Sequence, residues 1–218
     1  MRVTFALILT FAAALPLAAQ TPRPLAGSNG DAPAVSFRPF FLAVAQRPAA
    51  SETFDAVFGQ TWQQFWGGGV QAAFRSGLFA EVSASRFENT GQRAFVFNGQ
   101  SFPLGIPLTA RITPLEFSAG YRFRTSSRLI PYAAAGIGRY AYVETSDSSD
   151  SGDNVDAAHI GYLVLGGVEV RAQRWIGVSV DVQYTHVNGI LGSAGISQEL
   201  GEDNLGGPAV RVKLLVGR

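Results

Sequence analysis

Few residues in this chain are equipped for chemistry, and their spacing limits what they can do. His159 and His186 are the only histidines and cysteine is absent, which rules out thiol chemistry, disulfides and zinc clusters of the cysteine type. The two histidines lie on different extended segments with no ligand spacing between them, so no metal site is expected there. The run SDSSDSGDNVD, Ser146 to Asp156, gathers carboxylates in one loop. With Gly152 as the sharp-turn glycine of a calcium loop, Asp147 fits the first position. Ser149 and Ser151 stand where acids belong, however, and Ala158 replaces the closing glutamate, so a solvated loop is expected. Gly67, Gly68 and Gly69 open no helix and form no phosphate cradle; glycines inside a strand more often relieve crowding. No cofactor is expected.

The remaining charges recur at alternate positions, and that regularity belongs to strands, whose successive side chains point to opposite faces. From His159 to His186, HIGYLVLGGVEVRAQRWIGVSVDVQYTH, two alternating segments face each other across a turn at Ala172, Gln173 and Arg174. Ile160, Tyr162, Val164, Val168 and Val170 share one face of the first segment, and Ile176, Val178, Val180, Val182 and Tyr184 share one face of the second. The opposite faces carry Glu169, Arg171, Ser179, Asp181 and Gln183. Further strands are expected from Phe37 to Ala45, Trp62 to Phe74, Leu78 to Ser85, Leu108 to Phe123, Ile130 to Val143 and Val210 to Val216. In the fourth strand the apolar residues sit on even positions through Ile112 and on odd positions from Leu115, a change of phase at Pro114 that a β-bulge would explain. The fifth, rich in Ala and Gly, has no face assignment from its pattern.

The eight strands are joined by connections that alternate in length: long at 47–60, short at 76–77, long at 88–107, short at 125–128, long at 144–156, short at 172–174 and long at 188–207. A small hairpin around Asn98 and Gly99 is expected inside the second long excursion. All short turns then lie at one end of an up-and-down sheet and all long loops at the other, the arrangement of outer-membrane barrels. The fold class expected is all-β, an eight-stranded antiparallel up-and-down transmembrane β-barrel over residues 37–218.

In such a barrel the polar face looks inward. The expected lumen charges are Arg75, Glu81, Glu116, Arg122, Glu169, Arg171, Asp181, Arg211 and Lys213, four acids against five bases. An eight-stranded interior is just wide enough to be filled by side chains, and charges survive there only if they pair. Tyr121, Phe123, Tyr140, Tyr142, Trp175 and Tyr184 are expected at the membrane interfaces as aromatic girdles.

The ends and the composition agree with export. Arg2 followed by the apolar run Val3 to Leu17 and the small residues to Gln20 has the form of a cleavable signal peptide over residues 1–20. Residues 21–36, with Pro22, Pro24 and Pro33, are expected to form an extended tether. The net charge of +1 falls to zero when Arg2 is removed with the leader, and no Lys/Arg cluster occurs, so nucleic acid is not an expected partner.

The stretches PLEFSAGYRF, PYAAAGIGRY, HIGYLVLGGVEVRAQRWIGVSVDVQYTHV and VRVKLLV resemble the small outer-membrane β-barrels of the OmpA, OmpX and OmpW types. The resemblance implies an integral protein of the Gram-negative outer membrane, inserted by the barrel assembly machinery, in contact with outer-membrane lipids and lipopolysaccharide, and monomeric. A structural or surface-interaction role behind a sealed lumen is expected, with no enzyme activity. A narrow conduit for small apolar molecules, as the OmpW resemblance implies, and a soluble periplasmic lipocalin-like carrier are the alternatives. The segment His186, Val187, Asn188 followed by Glu199 also resembles the His-x-Ser and Glu arrangement of lipid A deacylases. Asn188 takes the nucleophile's place there and cannot attack an ester, and only the distant Ser193 could substitute.

Overall fold

The computed structural model describes residues 35–97, 100–123, 128–146, 155–173, 175–191 and 195–217. The leader, nearly all of the tether and most of the acidic run lie outside them. Eight antiparallel strands, β1 (Val35–Gln46), β2 (Gln63–Phe74), β3 (Leu78–Phe97), β4 (Gln100–Arg122), β5 (Leu129–Ser146), β6 (Val155–Arg171), β7 (Ile176–His186) and β8 (Gly207–Val216), pair in chain order. Pairing of β1 with β8 closes the barrel. Closure leaves no open edge, which is what lets strands cross a bilayer whose core offers the backbone no water. Among the described residues two helices, α1 (Ser51–Phe58) and α2 (Gly195–Glu199), lie in the β1–β2 and β7–β8 connections.

Alternation decides which side chains meet lipid. On β7, Val178, Val180 and Val182 are exposed while Ser179, Asp181 and Gln183 are buried. On β8, Val210, Val212 and Leu214 point out and Arg211, Lys213 and Leu215 point in. Residues 130–143 of β5, unassigned by pattern, place Ile130, Tyr132, Tyr140 and Tyr142 inside and Ile137 outside. Close packing explains one of the glycines of β2: a Cβ on Gly69 would stand 2.6 Å from the Phe40 ring.

The structure departs from the expectation at the end that carries the long connections. No bulge interrupts β4 at Pro114; its pairing with β5 keeps a single register from Leu108↔Ser146 to Arg122↔Tyr132. What changes at this height is the polarity of each face. Leu108, Ala110 and Ile112 are buried inside the barrel, where Glu116, Ser118 and Arg122 point in further down the same strand. Nor are residues 88–97 and 100–107 loop. They are the upper parts of β3 and β4, paired as far as Phe97↔Gln100, with one register shift between Gln92 and Ala94; the turn expected at Asn98 and Gly99 lies outside the described residues.

Residues 47–60, 188–191 and 195–207 fold onto the barrel mouth as a cap. Phe54, Phe65, Phe87, Ile112, Tyr142, Ile190, Leu191 and Leu205 form one buried cluster. Its rings lie close together, Phe65 to Phe87 at 5.4 Å and Phe58 to Phe87 at 5.8 Å between centroids. Ala50 offers α1 no side-chain cap, but the chain supplies one from the far loop: Glu202 accepts from the Thr53 amide at 2.8 Å and the Thr53 hydroxyl at 2.7 Å. The two connections are further joined by Ala49 N donating to Gly206 O at 2.7 Å. Gly59, at φ 68°, ends the helix in the left-handed conformation that glycine adopts without strain.

Candidate functional site in the barrel lumen

Below the cap the interior is occupied by ion pairs that cross from strand to strand. Arg38 of β1 holds Glu169 of β6 with both ends of its fork, at 2.6 and 2.9 Å. Arg122 of β4 reaches the same carboxylate at 3.0 Å. Gln71 bridges this group to the next, lying 3.4 Å from Arg38 and donating to Glu81 at 3.3 Å.

In the second group Glu81 of β3 receives Arg211 at 2.9 Å and Lys213 at 2.9 Å, both from β8. Asp181 of β7 faces the same two cations at 3.2 Å each and accepts from the Tyr132 hydroxyl at 2.5 Å. Glu116 lies 3.4 Å from Arg211 and accepts from Gln183 at 2.9 Å and from the Tyr140 hydroxyl at 2.7 Å. Arg211 also donates to Gln183. The Lys213 ammonium sits over the Phe40 and Tyr132 rings, 5.5 and 5.2 Å from their centroids, a cation–π arrangement.

The electrostatics follow from the count. Four cations, Arg38, Arg122, Arg211 and Lys213, and four anions, Glu81, Glu116, Asp181 and Glu169, face each other inside, and each takes part in at least one ion pair. Taking such charges out of water costs several kcal/mol per ion, and mutual pairing with hydrogen bonds offsets that cost. Removing a single member leaves its partner buried and uncompensated, which costs about 3–5 kcal/mol.

Seven of the nine charges expected in the lumen are therefore brought together: Glu81, Glu116, Arg122, Glu169, Asp181, Arg211 and Lys213. Two are not. Arg75 lies in the exposed turn after β2, one residue beyond the strand end, so alternation no longer governs its direction. Arg171, the last residue of β6, is exposed and only approaches Glu169, at 4.0 Å with 43 % of its side chain accessible. Tyr140 and Tyr142 are lumen and cap residues at 4 and 6 % exposure rather than interfacial girdles; Tyr121, Phe123, Trp175 and Tyr184 do face outward. The pattern of β1 does not mark Arg38 as a lumen residue, because both faces of the strand are apolar above it. Its signal is that it shares the even phase of Phe40 and Leu42, both buried.

The histidines do not join this network. His159 Nδ1 lies 2.8 Å from the Asn188 carbonyl and His186 Nδ1 lies 3.1 Å from Asn204 Nδ2. Among the described residues no group of three or more His, Cys, Asp or Glu side chains is arranged to hold a metal ion.

A closed eight-stranded barrel with an apolar outer wall and paired charges inside agrees with the one sequence comparison that spans the chain. A family model described as outer membrane protein beta-barrel domain matches residues 3–211. The chain belongs to that family. As an outer-membrane β-barrel protein it resides in the bacterial outer membrane and crosses it with strands, which sets aside the soluble carrier. No curated protein matches its sequence. Among solved structures it is similar to Neisserial surface protein A, at 14 % identity and TM-score 0.45 over 85 % of this chain and 95 % of that one. It is similar also to the N-terminal β-barrel domain of Pseudomonas aeruginosa OprF, at 12 % identity and TM-score 0.46 over 83 % of this chain and 97 % of that one.

Proposed function

We propose that this outer-membrane barrel is a non-catalytic, sealed protein that passes nothing through its lumen and presents its loop end to the outside. The observation that carries the reading is the double filling of the interior: eight paired charges across the lower lumen, and above them the apolar cap of α1 and the β7–β8 connection. A conduit for apolar molecules needs an apolar path along its length, and the charged layer is the opposite of one. Hydrolysis of lipid A has no support from the site either, because Asn188 stands at the nucleophile position and the ring nitrogens of His159 and His186 that have partners meet amide groups.

The same reading places the protein in the membrane as a monomer among outer-membrane lipids and lipopolysaccharide, after insertion by the barrel assembly machinery. Planar-bilayer recording with the refolded full chain tests it. The expected result is no resolvable current at any holding potential; steady single-channel steps would overturn the sealed lumen.

A further inference from the structure

We propose that the short-turn mouth of the barrel carries a docking site for a carboxylate-rich peptide, built from the guanidinium groups of Arg128 and Arg171 on neighbouring strands. Of the preceding reading the proposal takes only the orientation of the barrel, which puts this mouth in the periplasm, and it stands whether or not the lumen conducts.

Two like charges face each other there. The ladder between β5 and β6 runs to Leu129↔Val170, and one rung further on Arg171 N donates to Arg128 O at 2.9 Å, so the two arginines lie directly opposite. Residues paired in this way have Cβ atoms about 4.5–5.5 Å apart, and like charges at that separation destabilise the sheet. Both residues are exposed. Arg171 approaches one acid, Glu169, at 4.0 Å, and that carboxylate is already held by Arg38 and Arg122. The Arg128 side chain has no ion pair among the described residues. The eight buried lumen charges cancel one another, so Arg128 and Arg171 stand outside that balance without an acid of their own.

The chain supplies nothing local to neutralise them. No Asp or Glu occurs in residues 117–143 or 170–180. The exposed acids among the described residues, such as Glu52, Glu88, Asp156 and Glu199, lie at the end of the long connections. Inward from the pair, across the Glu169 carboxylate, Arg122 is buried at 5 % exposure, and its Nε has no hydrogen-bond partner among the described residues. A buried donor left unmet costs free energy, so the lack of acceptors extends from the rim into the mouth.

Phase separates this site from the lipid wall. Arg171 continues the inward phase of Glu169, and Arg128 that of Ile130; the outward positions beside them are Val170 and Leu129, at 44 and 59 % exposure. Lipid meets that apolar pair, and the arginines border the lumen opening instead. A guanidinium fork matches a carboxylate with two parallel hydrogen bonds. On an exposed rim a lone ion pair is worth little. A chain bearing several carboxylates engages both arginines at once, and its second contact gains from the effective concentration that the first creates. An extended acidic segment of a periplasmic protein has that form.

A fluorescently labelled hexaglutamate peptide is the probe. It is titrated with refolded full-length protein in zwitterionic micelles at low ionic strength, where exposed charges are least screened. Binding is read as anisotropy, and each variant is first checked for folding by heat-modifiable gel mobility. A saturable rise is expected with hexaglutamate and none with hexaglutamine. The double variant Arg128→Ala, Arg171→Ala is expected to weaken binding about tenfold, two exposed pairs being lost together. Arg139→Ala, at an exposed arginine further up β5, leaves it unchanged. Should the double variant fail to fold, Arg128→Lys with Arg171→Lys, which keeps both charges and loses both forks, is expected to weaken binding by a smaller factor. No saturable rise, equal binding of hexaglutamine, or indifference to the changes at Arg128 and Arg171 would each overturn the proposal. So would displacement of the peptide by an equal concentration of phosphatidylglycerol in the micelles, which would assign the mouth to lipid head groups.

Discussion

On β3 and β4, the half next to the short turns puts Glu81, Glu116 and Arg122 inward and apolar residues outward, and the level of Arg86 and Arg111 reverses that polarity. β4 shows both in one strand. Below Pro114, Phe117 and Tyr121 face out and Glu116 and Arg122 face in; above it, Arg111 and Thr113 face out and Leu108, Ala110 and Ile112 face in. β3 changes at the same level, from outward Val82 and inward Glu81 to outward Arg86 and inward Phe87. A strand in lipid must put its apolar face outward, while a strand in water must bury it. These two strands therefore obey membrane rules at one end and, where Arg86, Arg111 and Thr113 face out, the rules of a soluble protein.

The two halves should break differently. The largest effect is expected from Arg211→Ala, which leaves Glu116 without a cation and Glu81 and Asp181 to share Lys213. A loss of about 3–5 kcal/mol in global stability should appear as a lower urea midpoint for unfolding from lipid vesicles. Phe54→Ala, which empties the centre of the cap, costs about 3 kcal/mol locally. Its signature is faster hydrogen exchange and proteolysis over residues 47–62 while the barrel keeps its midpoint. Glu202→Ala removes only the substitute helix cap, worth about 0.5–2 kcal/mol, and should raise exchange in α1 alone. Arg171→Ala touches a partly exposed pair at the rim and should change the midpoint by no more than about 1 kcal/mol. Global loss in the cap variants, or a negligible effect of Arg211→Ala, would dissolve the distinction between the halves.

The same inversion explains what could and could not be read from the chain. In the lower half, alternation coincides with a contrast in polarity, so β6, β7 and β8 and their inward charges are visible in Glu169, Asp181, Arg211 and Lys213. At the loop end the contrast changes sign while the chain keeps its direction, and on β4 that looks like a bulge at Pro114. Tyr140 and Tyr142 follow the same logic: aromatic residues near a strand end suit a girdle until the strand has left the membrane, after which they belong to the core. The cap was hidden because Phe54, Leu191 and Leu205 are scattered through segments with no period. Contacts such as Thr53 with Glu202 join residues far apart in the chain, and no local pattern records them.

The central claim is that the charged layer closes the lumen by itself and the cap is a second, independent closure. Planar-bilayer recording of the double variant Phe54→Ala, Glu202→Ala tests this most directly, since it loosens the cap and leaves every lumen ion pair in place. Silence at all potentials is the predicted result; a steady conductance in this variant would contradict the account.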